Sequence, residues 1–328
     1  MKKLIYLSAL CSSILLSAQQ NAQINQSRIE GTDRPQPAPL AQDATSSNNE
    51  TVESSDTGAQ RPVLLSKSGI SGFFGYDSKY FYRSNPFALE GKLKQQKTGM
   101  WTNTFFGGAS LSSMELDSSI VTPYIGGSWT TNDYLEDNLD QFNFNTASAY
   151  GLLLAQHESG WSGRVGISYF SDRLTETDTE DYSEYFPNIG ISKAYNLSAD
   201  VIGYFDAYFG LHESTVGTYG ENFQDNLDNM EITGSYSLFY NYGNIKITPK
   251  YTLSFRSFDN YYDIAKGTTV DRDDLIHNFS LKAELPISGS VKVGLFGGYT
   301  SRDSSGTVTS NDYENLDAGL GLTLKATF

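Results

Sequence analysis

Apolar and polar residues alternate along most of the chain, from about residue 69 to residue 328. Successive side chains of an extended strand point to opposite faces, so each alternating segment predicts a strand with one apolar and one polar face. The predicted strands span residues 69–82, 99–111, 119–131, 141–155, 161–171, 184–195, 200–212, 230–242, 245–258, 275–285, 291–301 and 314–328. The pattern therefore predicts an all-β fold with twelve antiparallel strands, and ten or fourteen strands are the alternatives.

The final segment carries the alternation most clearly. Its apolar face consists of Leu320, Leu322, Leu324, Ala326 and Phe328, and the residues between them are small, polar or basic. A strand of this pattern with a terminal Phe resembles the assembly signal of outer-membrane barrels in Gram-negative bacteria. The resemblance implies that the barrel-assembly machinery recognises this strand and that the apolar face meets outer-membrane lipid.

The beginning of the chain predicts export from the cytoplasm. Two lysines precede an apolar stretch over residues 4–16, and the small residues Ser17 and Ala18 follow it. This layout is typical of a secretory signal peptide, here residues 1–18. The single cysteine, Cys11, lies inside it, so the mature chain is expected to form no disulfide.

Residues 19–66 have a different composition from the strand segments. They are rich in Gln, Asn, Ser, Thr and acidic residues, with three closely spaced prolines and few aromatic residues. Such a segment cannot bury enough apolar surface to fold, so we predict a disordered periplasmic leader. The barrel domain is then expected over residues 67–328.

Connection lengths indicate how the strands are arranged. The connections after odd-numbered strands are long, whereas those after even-numbered strands are short, as at 157–160, 196–199, 243–244 and 286–290. Transmembrane β-barrels have short periplasmic turns and longer extracellular loops, and lipid admits strands only in a closed barrel. A soluble sandwich shows the same alternation of side chains but gives no reason for this separation of loops by length.

Aromatic residues fall near the ends of the predicted strands. Toward the long loops lie Tyr80, Tyr82, Trp101, Trp129, Tyr169 and Tyr299, and toward the short turns lie Trp161, Tyr195, Tyr242 and Phe328. Two such belts are typical of transmembrane barrels, where aromatic rings lie at both membrane interfaces. A soluble sandwich core would place aromatic residues at strand centres as often as at strand ends.

The polar faces of the strands are predicted to line a lumen. The basic residues on these faces are Lys79, Arg164, Lys246, Lys250, Arg256, Lys282, Lys292 and Lys325. The acidic residues there are Asp77, Asp206, Glu231 and Glu284. A basic wall favours anions in a pore, and the alternative is that these charges pair with one another for structural reasons.

Acidic residues concentrate in the long loops. The chain has 38 acidic and 23 basic residues and a net charge of -15, which argues against nucleic acid as a partner. The loop acids are Asp133, Glu136, Asp137, Asp140, Glu176, Asp178, Glu180, Asp181, Asp225, Asp228, Asp271, Asp273 and Asp274. They are interpreted either as ordinary solvated loop residues or as ligands of divalent cations that bridge to lipopolysaccharide.

The three histidines do not match the patterns of barrel enzymes. Outer-membrane phospholipases place a Ser two residues after the His, and Phe279 occupies that place after His277. Omptin-type proteases place an Asp two residues before the His, and Gly210 occupies that place before His212. His157 belongs to a predicted turn. We therefore expect no catalytic site, no cofactor and no metal site.

The segment "GYDSKYFYRS", residues 75–84, resembles the first strand of TorF-type porins, although Ser84 stands where that family has Gly. The resemblance covers one strand and the general barrel plan. It implies a porin of unassigned substrate. Our hypothesis is an outer-membrane channel for passive diffusion of small solutes, with a preference for anions. The alternative is a non-conducting structural or adhesive barrel that displays acidic extracellular loops.

Overall fold

The computed structural model describes residues 28–29, 69–87, 97–217, 225–263, 267–306 and 312–328. Within these residues, no helix is long and apolar enough to cross a membrane. The strands are β1 (Ser71–Arg83), β2 (Thr98–Ser110), β3 (Met114–Leu116), β4 (Ser119–Tyr134), β5 (Phe144–His157), β6 (Trp161–Leu174), β7 (Glu180–Asn196), β8 (Val201–Val216), β9 (Asn229–Tyr242), β10 (Ile245–Asp263), β11 (Thr268–Ser288), β12 (Val291–Ser305) and β13 (Tyr313–Thr327).

The sheet closes on itself. β1 pairs with β2 at one edge and with β13 at the other, and β2 pairs with β4. From β4 to β13 each strand pairs antiparallel with the next one along the chain. Twelve strands therefore form a closed antiparallel barrel, and the prediction of twelve rather than ten or fourteen is confirmed. The remaining strand, β3, is a short addition paired with β4.

Side chains alternate around the barrel as the sequence predicts. On β12 the outward residues Val293, Leu295 and Tyr299 are exposed by 39%, 61% and 42%, while Arg302 on the inward face is buried. The outward face of β13 is similar, with Leu320 and Phe328 exposed by 57% and 76%. The alternating apolar side chains of these two strands thus lie on the outer surface of the cylinder.

The seam between β1 and β13 includes Phe328. The amide of Gly72 donates to the carbonyl of Phe328 at 2.8 Å, and the amide of Phe328 donates back to Gly72 at 2.9 Å. The Phe328 ring lies over Gly72 so closely that a Cβ atom at residue 72 would overlap it. The end of the final strand is therefore hydrogen-bonded to the first strand of the barrel. Its recognition by assembly machinery stays a prediction.

The strands extend further toward one end of the barrel than the sequence predicts. We call this the loop end, because it carries the connections after β1, β4, β6, β8, β10 and β12, and the opposite end the turn end. β11 begins at Thr268 instead of residue 275, and β10 ends at Asp263 instead of residue 258. At the loop end the strands remain paired where apolar and polar residues no longer alternate in the sequence. The contrast in connection length is correspondingly smaller than predicted, since β6 and β7 are separated by 175–179 alone.

Two local elements differ from the prediction. A 3₁₀ helix occupies Asp137–Phe142, where the fourth strand was expected to begin at residue 141. Its buried residues Leu139 and Phe142 turn the connection back onto the barrel. The connection at 111–118 contains β3, whose three residues pair with the first residues of β4. Neither element was signalled by an alternating pattern.

Two residues of the predicted leader, Arg28 and Ile29, lie inside the barrel. The sequence predicts that residues 19–66 are disordered on the periplasmic side. Instead, Arg28 and Ile29 are helical and only 1% and 2% exposed, at the loop end of the barrel interior. The physical reason is that Arg28 finds the buried carboxylate of Asp181 there. The predicted signal peptide, residues 1–18, and the rest of the predicted leader fall outside the described residues.

Buried apolar residues collect at the loop end in two groups. The Phe144 cluster comprises Phe81, Phe87, Met100, Tyr134, Leu139, Phe142 and Phe144. The Val216 cluster comprises Ile29, Tyr182, Val216, Leu227, Phe258 and Tyr261. The barrel interior is therefore largely filled near this end. Two smaller buried groups lie on the wall further along, Phe170 with Phe186 and Tyr208, and Tyr124 with Leu152 and Leu154. Polar and charged side chains line the wall beside them.

Candidate functional site in the barrel lumen

The lumen contains a cavity of ≈ 540 Å³ lined by residues of β1 and of β6 to β13. Its charged lining residues and its histidine are Lys79, Arg83, Glu184, His212, Glu231, Lys250, Arg256, Lys282 and Asp317. Four of the eight predicted basic wall residues therefore meet at this cavity. They come from strands far apart in the chain, and the closure of the sheet brings them together.

Three predicted basic residues are held in ion pairs. Arg164 on β6 reaches across β7 to Asp206 on β8, with a distance of 3.1 Å from NH2 to Oδ2. Arg256 donates from Nε to Glu231 Oε2 at 2.8 Å. Lys282 Nζ lies 2.9 Å from Oε1 of Glu284. These three basic residues therefore each pair with a carboxylate of the wall.

Two further predicted lysines lie over aromatic rings near the turn end. Lys246 Nζ is 4.6 Å from the ring centre of Phe239, and Lys325 Nζ is 4.7 Å from that of Phe73. A ring face attracts a cation without neutralising it. Lys292, on β12 at the same end, is solvent-exposed. These three lysines lie at the turn end of the lumen, where Glu284 on β11 is opposite Lys246 on β10.

Lys79 and Lys250 differ from the other cavity-lining cations. Within the part of the chain that the structure describes, neither amino group has a carboxylate within 4.0 Å. Lys79 is on the inward face of β1 and Lys250 is on the inward face of β10, both half-buried. Both ammonium groups therefore line the cavity without a salt bridge to a described carboxylate.

The acidic groups of the wall are all engaged. Asp206, Glu231 and Glu284 hold the ion pairs described above, and Asp77 accepts a hydrogen bond from Thr323 across the seam. Asp317 accepts two hydrogen bonds from Arg83, at 3.0 and 2.8 Å. Each of these carboxylates therefore has a donor in the barrel wall.

A buried network surrounds His212 on β8. The ring lies between Glu184 Oε2, at 3.2 Å from Nδ1, and Glu231 Oε2, at 3.0 Å from Nε2. It stacks on Phe186 with ring centres 4.2 Å apart, and Tyr208 donates to Glu231 at 2.6 Å. Both imidazole nitrogens are thus occupied by carboxylates. The sequence analysis missed Glu184, although its inward position on β7, two strands from Glu231, follows from the same alternation.

The other two histidines lie outside the lumen. His157 contacts Ser118 and Ser159 at the turn between β5 and β6, at 3.0 and 2.7 Å. His277 is on the outer face of β11 and lies 2.8 Å from the Tyr251 hydroxyl. The three histidines are therefore widely separated. The expectation that none of them is catalytic stays a prediction.

Several acidic residues predicted to be in loops lie on strand ends or in the interior. Asp181 and Asp274 are buried, and Arg272 donates to Asp274 at 2.8 and 2.6 Å. Asp228 lies in the connection before β9 and accepts hydrogen bonds from Ser214 at 2.6 and 2.7 Å. Burial raises the pKa of the Asp228 carboxyl group, and these hydrogen bonds oppose that rise. The loop end is therefore less acidic on its surface than the sequence predicts.

Comparison with known proteins finds similarity to solved barrel structures at low identity. The COG4313 outer membrane channel from Pseudomonas putida F1 is 9% identical, with a TM-score of 0.45 over 83% of this chain and 99% of that one. The KdgM porin in complex with disordered oligogalacturonate is 12% identical, with a TM-score of 0.40 over 76% and 98%. The NanC porin is 9% identical, with a TM-score of 0.41 over 76% and 98%.

No protein-family model matches the sequence, and the search of curated proteins gives no match. The resemblance to TorF-type porins therefore still depends on the single segment at residues 75–84. The assignment of the fold depends on the closed ladder of twelve strands and not on the similarity to other barrels.

Proposed function

We propose that this protein is an outer-membrane barrel through which small anionic solutes diffuse passively. Three features of the described residues support the proposal: an apolar outer surface, a charged lumen and lysines in that lumen that have no carboxylate partner. The lysines without a carboxylate partner are the observation that supports a preference for anions.

The outer surface is apolar over the height of a membrane. Exposed residues such as Ile189, Phe279 and Leu295, at 58%, 51% and 61%, occur on strands all around the cylinder. Water-soluble monomers rarely expose a continuous apolar band of this kind, whereas lipid accommodates it. Each barrel strand has at least 13 residues, and a tilted strand needs about 9 to 11 to cross the hydrocarbon core.

Aromatic residues border this apolar surface at both ends. Tyr80, Trp101 and Trp129 lie in its loop-end half, and Trp161 and Tyr242 lie near the turn end. All five side chains are exposed and point outward. Amphipathic rings prefer the membrane–water interface, so the two groups support a transmembrane orientation with the barrel axis along the membrane normal.

Lys79 and Lys250 are the residues that we assign to solute attraction. No described carboxylate pairs with them, so their positive charge can attract anions in the cavity at long range. They do not form a specific binding site. Arg256 and Arg164 hold the wall together through their ion pairs. A barrel of this strand number is narrower than a sixteen-stranded porin, which limits the solute to a small molecule.

Planar-bilayer recording tests the proposal. The reversal potential of open channels in a KCl gradient is expected to indicate anion preference. Lys250→Glu should move that potential toward cation preference. Lys193→Glu is the matched control, because Lys193 faces outward on β7 over Trp161, with 5.0 Å between its Nζ and the ring centre. An unchanged potential in Lys250→Glu would contradict the role of the lumen lysines.

A second candidate function is a non-conducting barrel that displays its loops. The observation in its favour is the aromatic packing at the loop end, where Phe87, Phe144 and Tyr134 are almost completely buried. In this candidate the acidic loops bind divalent cations that bridge to lipopolysaccharide. Folded protein that inserts into bilayers but never conducts would favour it over the pore.

We also propose that the outward face of β13 is the segment recognised during barrel assembly. Leu320, Leu322, Leu324 and Phe328 are exposed, so they are accessible before the seam meets lipid. Phe328→Ser is expected to slow insertion in the presence of the assembly machinery, and Phe74→Ser is the matched control on the neighbouring strand. Equal insertion rates for both variants would contradict this role.

A further inference from the structure

Arg28 belongs to the segment before the barrel, yet it lies inside the barrel. Its guanidinium pairs with Asp181, 153 residues away in the chain, and its NH1 lies 3.9 Å from Asp172 Oδ2. Both carboxylates are on the loop-end halves of β6 and β7. Arg28 also lies over the Phe144 ring, 4.2 Å from its centre. The wall therefore offers Arg28 two acidic groups and an aromatic face.

Ile29 adds an apolar contact on the other side. It is 2% exposed and belongs to the Val216 cluster, whose other members come from β7, β8, β10 and the connection before β9. Phe144, which Arg28 covers, belongs to the separate Phe144 cluster. These two adjacent residues therefore connect the two apolar clusters that fill the loop end.

The acidic groups that receive Arg28 are almost completely buried. Asp172 and Asp181 are exposed by 0% and 4%, and they lie on neighbouring strands. Two buried like charges oppose each other unless a cation lies between them. Arg28 supplies this cation from outside the strands. The wall at this point has the form of a receptor for a basic residue followed by an apolar one.

We infer that Arg28 and Ile29 form a detachable gate. When docked, they join the two clusters and close the loop end of the lumen. When released, they leave a mouth bordered by Asp172 and Asp181, whose carboxylates are then hydrated. Release is feasible without breaking the barrel because neither residue belongs to a barrel strand. The inference that these residues act as a gate depends on the proposed pore. Their docked position can be tested without it.

Disulfide trapping tests docking. In a Cys11→Ser background the chain has no other thiol, so the double variant Ile29→Cys with Val216→Cys can form only the intended bond. Oxidation of intact cells is expected to give this crosslink, because residues 29 and 216 share a cluster. Ile29→Cys with Met114→Cys is the control, since Met114 lies at the turn end. Absence of the first crosslink, or equal yields for both pairs, overturns docking.

Conductance of the same double variant tests the gate. The oxidised form is expected to remain closed, and reduction with dithiothreitol should restore opening. If both forms conduct equally, the gate is wrong although the pore stands. If no form conducts, including Arg28→Ala and Ile29→Ala, the proposed pore is wrong and the gate falls with it. Crosslink formation still decides docking in that case.

Single substitutions give a second readout. Arg28→Ala should increase the fraction of time spent open by about tenfold, because it removes the cation between two buried carboxylates. Arg28→Lys should restore part of the closure. The control is Arg173→Ala, whose guanidinium is at the same end but exposed, 3.4 Å from Asp178. An equal effect of Arg28→Ala and Arg173→Ala contradicts a specific gate.

Discussion

Arg83 and Asp317 form a two-point ion pair across the seam where the barrel closes. Arg83 Nε and NH2 donate to the two oxygens of Asp317 at 3.0 and 2.8 Å, and both side chains face the lumen. They are 11% and 15% exposed, so solvent screens the pair little. The first and last strands of the barrel are thus joined by a charge pair in addition to their backbone hydrogen bonds.

This ion pair predicts a measurable loss of stability. Asp317→Asn is expected to lower the free energy of unfolding by about 2 kcal/mol, because it leaves Arg83 partly buried without its carboxylate. Urea unfolding of the protein in lipid bilayers measures the change. In the double variant with Arg83→Gln the loss should be smaller than the sum of the single losses. Strict additivity would contradict a direct interaction.

Gly319 makes the same seam sensitive to a single methyl group. A Cβ atom at this position would overlap the Tyr80 carbonyl oxygen and the Cβ of Phe81 on β1. Gly319→Ala is therefore expected to lower the free energy of unfolding by about 2 kcal/mol. Gly321→Ala is the matched control on the same face of β13, because its nearest atom, Lys79 Cγ, is 3.6 Å away.

The two alanine variants are compared by their urea midpoints in bilayers. For the control Gly321→Ala, the free energy of unfolding is expected to change by less than about 0.5 kcal/mol. Equal midpoints for Gly319→Ala and Gly321→Ala would mean that β1 and β13 do not approach as closely as described.

Glu231 is the hub of the buried lumen network, since it contacts Arg256, His212 and Tyr208. Glu231→Gln keeps the shape but removes the charge, so Arg256 loses its ion-pair partner in a buried site. A loss of about 3 kcal/mol is expected in the same unfolding assay. Glu115→Gln, on the exposed strand β3, should change stability little. Similar losses in both variants would contradict the central role of Glu231.

The sequence predicts the strands well where they meet the apolar outer surface. Leu320 to Phe328 and Ile245 to Phe255 alternate strictly, because every second side chain belongs to the apolar outer surface. Where β10 and β11 continue past the apolar surface, apolar and polar residues no longer alternate, as in DNYYD at 259–263 and DRDD at 271–274. That is why β11 extends to Thr268 although the pattern stops at residue 275.

The side-chain contacts inside the lumen are harder to predict from the sequence. Alternation correctly assigns Lys79, Lys250 and Arg256 to the inward face, but it does not indicate which of them has a partner. The Arg164–Asp206 pair joins β6 to β8, and the Arg28–Asp181 pair spans 153 residues. Such contacts depend on the register and curvature of the closed sheet. A polar composition also gives no sign that Arg28 and Ile29 are buried.

The proposed function requires that the outer apolar surface meets acyl chains. The chain has three tryptophans, Trp101, Trp129 and Trp161, all on the outer face and exposed by 47%, 43% and 42%. In single-tryptophan variants, with the other two replaced by Phe, lipids brominated at defined depths should quench each fluorescence in reconstituted vesicles. We predict quenching of all three, strongest with shallow bromines for Trp101 and Trp161. Fluorescence that no brominated lipid quenches would contradict the account.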